Sequence, residues 1–287
     1  MRAALSCLGL LLVATTASAQ MRKPPAIEAT GVPAISSDIA DRLAQYQEFR
    51  TASFLGWAPD GKGILISTRF GNVAQLHRVY EPGGRREQVT WFAEPATGRF
   101  LGRPGEGPSG DLVVTLSAGG SENNQVYFVD AATGKSVRIT DGKSRHGLGP
   151  VKDDGGLMVL TGNQRNGKDA DIYVANPRVP GSLTMILEGA ADSWQPQDIS
   201  PDGYRVALVK YISINESYPA ILDIVSRKLT YLKLPTDKPA AYTDLHFSPD
   251  GKSIYLATDA RAEYRELAKY DIATGGYSWP LEGNTQT

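Results

Sequence analysis

Phe247-Ser248-Pro249-Asp250-Gly251-Lys252-Ser253-Ile254-Tyr255-Leu256 reads as a tight turn that feeds a strand. Pro presets φ near about −65° at the second position of a turn, Asp can bond its own backbone, and Gly accepts positive φ. The apolar residues that follow suit a half-buried strand. The chain repeats the device at Trp57-Ala58-Pro59-Asp60-Gly61-Lys62-Gly63-Ile64-Leu65-Ile66 and at Ile199-Ser200-Pro201-Asp202-Gly203-Tyr204-Arg205-Val206-Ala207-Leu208. Two worn copies fill the gaps, Pro108-Ser109-Gly110-Asp111-Leu112-Val113-Val114 and Asp153-Asp154-Gly155-Gly156-Leu157-Met158-Val159. Their turn glycines, Gly61, Gly110, Gly155, Gly203 and Gly251, stand 49, 45, 48 and 48 residues apart.

A second marker keeps the same beat. An apolar pair, or Lys269-Tyr270 in the last copy, ends in an acidic or amide residue at Glu81, Asp130, Asn176, Asp223 and Asp271, at steps of 49, 46, 47 and 48. Two markers in phase identify a repeat architecture. A unit of about 48 residues holds roughly four short strands, the content of one propeller blade. The expected fold is therefore an all-β propeller of four-stranded blades, with five blades visible over residues 51–287. Whether they form a complete ring or part of a seven- or eight-bladed one stays open, since propellers of about four to eight blades exist.

Composition sets bounds on function. The 287 residues are 41% hydrophobic and 21% charged, enough for a sizeable core. A formal charge of −1 gives no electrostatic case for nucleic acid. Residues 1–19 read as an export signal: Met1-Arg2, an apolar run from Ala3 to Ala14, and Ala17-Ser18-Ala19 as cleavage site. That run is too short to span a membrane, and no later run approaches the needed length. The one cysteine, Cys7, lies in the signal, so the mature chain is expected to be free of disulfides. An exported, periplasmic or secreted protein results. Residues 20–50 form a Pro-rich lead-in with a short helix capped at Ser37-Asp38, whose stripe Ile39, Leu43 and Tyr46 is expected to pack on a blade.

Candidates for chemistry are few. No Gly-x-Ser-x-Gly elbow exists; Gly107-Pro108-Ser109-Gly110-Asp111 comes near but sits on a blade turn. As bases there are His77 and His246, read as packed or strand-edge residues, and His146, read as exposed in a Gly-rich loop. Asp153-Asp154 and Asp169 with Asp171 read as solvated turn carboxylates. No metal-binding motif is present, and no cofactor is expected. The loop Thr68-Arg69-Phe70-Gly71-Asn72 joins two strands of blade one. Its Arg69 and Asn72 are candidates to contact substrate or a neighbouring domain.

The Pro-Asp-Gly turns, the hairpins at Asp130-Ala131-Ala132-Thr133-Gly134 and Asp271-Ile272-Ala273-Thr274-Gly275, the strand Asp171-Ile172-Tyr173-Val174 and the export signal together resemble the propeller half of prolyl-oligopeptidase-family serine peptidases. Gly56 to Val89 looks especially like the first blade of exported bacterial members. The turn motifs are also similar to those of TolB-like periplasmic propellers and other WD40-like arrays. The resemblance covers about residues 40–287. It implies a propeller that caps an active site and admits short peptides, with a C-terminal α/β-hydrolase domain as partner supplying Ser, Asp and His. None of those catalytic residues is carried onto this chain. The alternative it implies is a TolB-like scaffold that binds other envelope proteins.

Overall fold

A computed structural model describes residues 23, 25–47, 49–102 and 110–281. The export signal with Cys7, and Ser109, lie outside the described residues. The chain divides into two compact units, residues 1–51 and 52–287. In the first, α1 (Ser37–Gln47) begins at Ser37 with Asp38 in its first turn, where a carboxylate complements the exposed N–H groups. None of its residues is buried. The expected burial of Ile39, Leu43 and Tyr46 is therefore corrected: all three are exposed.

The second unit is all β. Blade one comprises β1 (Ala52–Trp57), β2 (Ile64–Thr68), β3 (Gln75–Val79) and β4 (Glu87–Gln88). Blade two holds β5 (Thr97–Phe100), β6 (Leu112–Leu116), β7 (Gln125–Val129) and β8 (Ser136–Arg138). Blade three holds β9 (His146–Val151), β10 (Met158–Gly162), β11 (Asp171–Ala175) and β12 (Thr184–Leu187). Blade four holds β13 (Ser193–Ile199), β14 (Arg205–Ser213), β15 (Glu216–Asp223) and β16 (Leu229–Tyr231). Blade five holds β17 (Tyr242–Phe247), β18 (Ser253–Thr258), β19 (Glu266–Asp271) and β20 (Tyr277–Ser278). Every blade is an antiparallel meander in chain order, so the structure is a β-propeller of five blades among the described residues.

The turns form as their residues dictate. Gly61 donates to Ala58 O at 3.0 Å, and Gly203 and Gly251 donate to Ser200 O and Ser248 O at 2.8 Å. Asp60, Asp202 and Asp250 each accept the N–H two residues on, from Lys62, Tyr204 and Lys252, at 3.0 Å. Gly251 has φ of 68°, a region closed to most side chains. The worn turns conform too, with Gly110 and Gly155 also at positive φ.

Packing runs between blades. Leu65 and Leu76 of blade one meet Phe100, Leu112 and Val114 of blade two. Val113 and Val126 meet Met158, Leu160 and Tyr173 of blade three. Val159, Ile172 and Val174 meet Val206, Leu208 and Leu222 of blade four. Ala207 and Val209 meet Leu245, Phe247, Ile254 and Leu256 of blade five. Among the described residues the core is thus four interfaces joining five blades in series. Inner blades are buried on both faces, which is why Leu112-Val113-Val114, Met158-Val159-Leu160 and Val206-Ala207-Leu208-Val209 are unbroken apolar runs rather than alternating ones. Full burial of one such Leu is worth about 1.5–3 kcal/mol.

In blades one to three a polar latch secures the third strand to the connector that leaves the blade. The buried Gln75 amide donates to Phe92 O and Glu94 O and accepts from Thr90 Oγ1 and Phe92 N. Gln125 repeats the pattern with Asn123 O, Ser144 O, Thr140 Oγ1 and Gly142 N. In blade three Asp171 takes this place. It is fully buried, which corrects its reading as a solvated turn carboxylate. Arg165 grips it with Nε to Oδ2 and Nη2 to Oδ1, both 2.9 Å, and Gly189 N donates to Oδ1 at 2.8 Å.

Candidate functional site

The first strands of the blades, β1, β5, β9, β13 and β17, interrupt their apolar residues with Gly, Pro or polar ones, as in Thr97-Gly98-Arg99-Phe100 and Ser193-Trp194-Gln195-Pro196-Gln197-Asp198-Ile199. Aligned by their last residues, Trp57, Phe100, Val151, Ile199 and Phe247, they present Gly56, Arg99, Pro150, Asp198 and His246 at one equivalent position. Four of these strands converge on a cavity of about 400 Å³ lined by Arg99, Gly149, Lys152, Asp153, Gln197, Asp198 and His246, among others. We call it the axial cavity. Most of its lining comes from β5, β9, β13 and β17, which the blade interfaces hold on either side.

The charges in it differ in how they are satisfied. Asp198 accepts Ile199 N at 2.9 Å and Phe247 N at 2.8 Å, pinning blade five to blade four. His246 Nδ1 stands 3.8 Å from Asp198 Oδ2, and its ring is largely exposed. Lys152 Nζ pairs with the neighbouring Asp154, whose carboxyl is held below its ordinary value by that ammonium, against the opposing effect of burial. Arg99 reaches across to blade three, where Nη2 donates to Gly149 O at 2.8 Å. Burial pushes the Arg99 guanidinium below its ordinary pKa.

The histidines separate. His246 lines the axial cavity instead of packing. His77 is buried and tilted against Phe70, with ring centroids 5.3 Å apart. His146 is 1% exposed, which corrects its expected exposure. It is the first residue of β9, and its ring lies over Gly162, where any Cβ would meet Cδ2 at 2.6 Å. Its Nε2 stands 3.2 Å from Gln164 Oε1.

Arg69 and Asn72 are exposed on the β2–β3 loop. Asn72 lines a second cavity, of about 350 Å³, with Phe70, His77, Gln88 and Trp91. This lies on blade one, apart from the axial cavity, and none of its lining residues is shared with it. Sequence reasoning passed over Arg99, Lys152 and Asp198. The available signal was positional: Arg99 and Asp198 are the penultimate residues of the first strands of their blades, and Lys152 follows the last residue of such a strand.

Among the described residues no three His, Cys, Asp or Glu side chains come together as a metal site, and no helix is long and apolar enough to cross a membrane. No family model matches the chain, and no curated protein sequence does. Solved structures do. An oligogalacturonate lyase in complex with manganese shares 12% identity at a TM-score of 0.62, over 80% of this chain and 65% of that one. TolB from Acinetobacter baumannii shares 21% identity at a TM-score of 0.51, over 79% of this chain and 53% of that one. A prolyl endopeptidase shares 12% at a TM-score of 0.59, over 80% of this chain and 36% of that one. The chain thus spans between about a third and two thirds of the length of these structures. The likeness to the propellers of prolyl-oligopeptidase-like and TolB-like proteins is one of fold.

Proposed function

We propose that the chain is the substrate-gating propeller of an exported prolyl-oligopeptidase-like serine peptidase, admitting short peptides toward a C-terminal α/β-hydrolase domain. The axial cavity carries this reading. Its volume of about 400 Å³ lies toward the small end of small-ligand sites, and it is walled by four strands that cannot spread without breaking a blade interface. Such an opening accepts a few residues of extended chain and refuses a folded protein. Export rests on the leader at residues 1–19, cleaved near Ala19. Arg69 and Asn72 remain proposed contacts to substrate or to the neighbouring domain.

A second reading, a TolB-like scaffold, is favoured by one observation. The β14–β15 hairpin is built from strands of 9 and 8 residues, against 5 in β2, β6 and β10. Its tip exposes Tyr211, Ile212 and Ile214, an apolar group suited to a protein partner. The two readings part on one assay. The native exported product should hydrolyse a short prolyl peptide and leave a folded protein intact. Inactivity on both, together with a stably co-purifying envelope partner, would transfer the assignment to the scaffold.

A further inference from the structure

Among the described arginines that are not exposed, Arg78, Arg99, Arg178 and Arg205, Arg99 is set apart by its partner; Arg86, Arg138 and Arg265 also bond to neutral groups but are exposed. Arg78 pairs with Asp60, Arg178 with Asp111 and Arg205 with Asp202. Arg99 has no carboxylate within ion-pair distance among the described residues, and its one hydrogen bond goes to a neutral carbonyl, Gly149 O. It is half-buried in the wall of the axial cavity. A guanidinium offers five donors and does not escape burial by losing its proton. We infer that Arg99 receives the carboxylate of a ligand that enters the axial cavity, and that the ligand is the C-terminal end of a short peptide.

The surroundings prepare this arrangement. The bond to Gly149 O fixes one edge of the guanidinium, leaving its remaining N–H groups for a bidentate grip. Gly149 is closely packed: a Cβ there would meet Val159 O at 2.9 Å and Pro196 Cβ at 3.3 Å, so the strand approaches its neighbours as glycine allows. The other charges of the cavity are engaged. Asp198 is held by two backbone N–H groups and Lys152 by Asp154. Arg99 is therefore the charge that a ligand would complete. The exposed His246 of β17 and the half-buried Gln197 of β13 add polar groups for the peptide backbone. Burial without an opposing partner depresses the guanidinium pKa, as expected of a cation whose counter-ion arrives from outside.

This inference rests on the axial cavity being a peptide passage, but binding needs no hydrolase domain. The full chain is titrated calorimetrically with N-acetyl-trialanine and with its C-terminal amide. The acid should bind at least about tenfold more tightly than the amide, the scale of one charge-assisted contact. Arg99→Gln should bring the acid down to the level of the amide and leave the amide unchanged. Arg99→Lys should recover part of the preference, since it keeps the charge and loses the planar fork. If Arg99→Gln does not fold, as judged by its thermal melt, the Arg99→Lys variant carries the comparison. Equal binding of acid and amide, or a preference that survives Arg99→Gln, overturns the inference. Displacement of the peptide by an equal concentration of acetate would make this a general anion site and overturn the peptide assignment. A native product with no hydrolase that still prefers the acid would defeat the peptidase reading alone, whereas an active hydrolase with no such preference would defeat this inference alone.

Discussion

Blades two and three fasten the start of their third strands to the departing connector at the same place and by opposite chemistry. Gln125 uses a neutral amide that donates twice and accepts twice. Asp171 uses a buried carboxylate whose charge is met by Arg165 at 2.9 Å on both oxygens, with Gly189 N as a third donor. The topology needs a buried acceptor there, and either group serves. The cost differs. Breaking the amide latch leaves neutral groups unpaired, while breaking the ionic one leaves a buried charge.

The largest effect should follow from Arg165→Ala, which abandons the Asp171 carboxylate. Denaturant unfolding should show a loss of about 3–5 kcal/mol, the scale for a buried pair with one partner removed. A loss under about 1 kcal/mol would mean that the two latches are energetically alike.

Acid should act on the same pair. Burial pushes the Asp171 carboxyl up, but Arg165 and Gly189 N outweigh it and hold its pKa below the ordinary value. A group depressed in the folded state contributes stability that is present above the unfolded value, about 3.9, and lost as pH falls through the folded value. Amide exchange should therefore show blade three loosening below about pH 4. The blade-two connector should loosen as well, through Asp141, whose carboxyl is held down to about 2 against burial by Lys143 N and by Ser144 N and Oγ. Asp171→Asn should remove the acid-dependent loss in blade three and leave that of the blade-two connector unchanged.

Gln125→Leu comes next, with an expected loss of about 1–3 kcal/mol from stranding Gly142 N and Ser144 O, and no added acid sensitivity. Smallest is Arg227→Gly. Arg227 sits at φ of 58° in a hairpin where Asp223 Oδ1 accepts from Ser226 N and Oγ, as Asp130 and Asp271 do from Thr133 and Thr274. Gly134 and Gly275 occupy the matching position with φ of 68° and 70°. Relief of the left-handed strain should stabilise by at most about 1 kcal/mol, checked by thermal melt.

The propeller was legible because its signals are local. Pro249-Asp250-Gly251 closes within four residues, and five such turns in register with five acidic or amide markers define the blades without any tertiary knowledge. What stayed hidden depends on partners far along the chain. His146, flanked by Arg145 and Gly147, looks like a loop residue until Gly162 is seen to make room for its ring. Asp171 looks like a turn carboxylate until Arg165 folds back onto it. The hairpin at Asp223 was masked because Arg227 stands where its siblings have glycine. Arg99 was the hardest. Thr97-Gly98-Arg99-Phe100 has little strand character by composition, and its meaning comes only from aligning first strands across blades and finding which charge lacks a counter-ion.

The central claim is that this propeller gates a peptidase, and the intact mass of the native exported product in its own source tests it most directly. The account predicts a mass exceeding the 30.9 kDa of this chain by at least one further domain, on the order of 100–250 residues. A mass just below 30.9 kDa, the chain less its leader, would contradict it and leave a free-standing binding propeller.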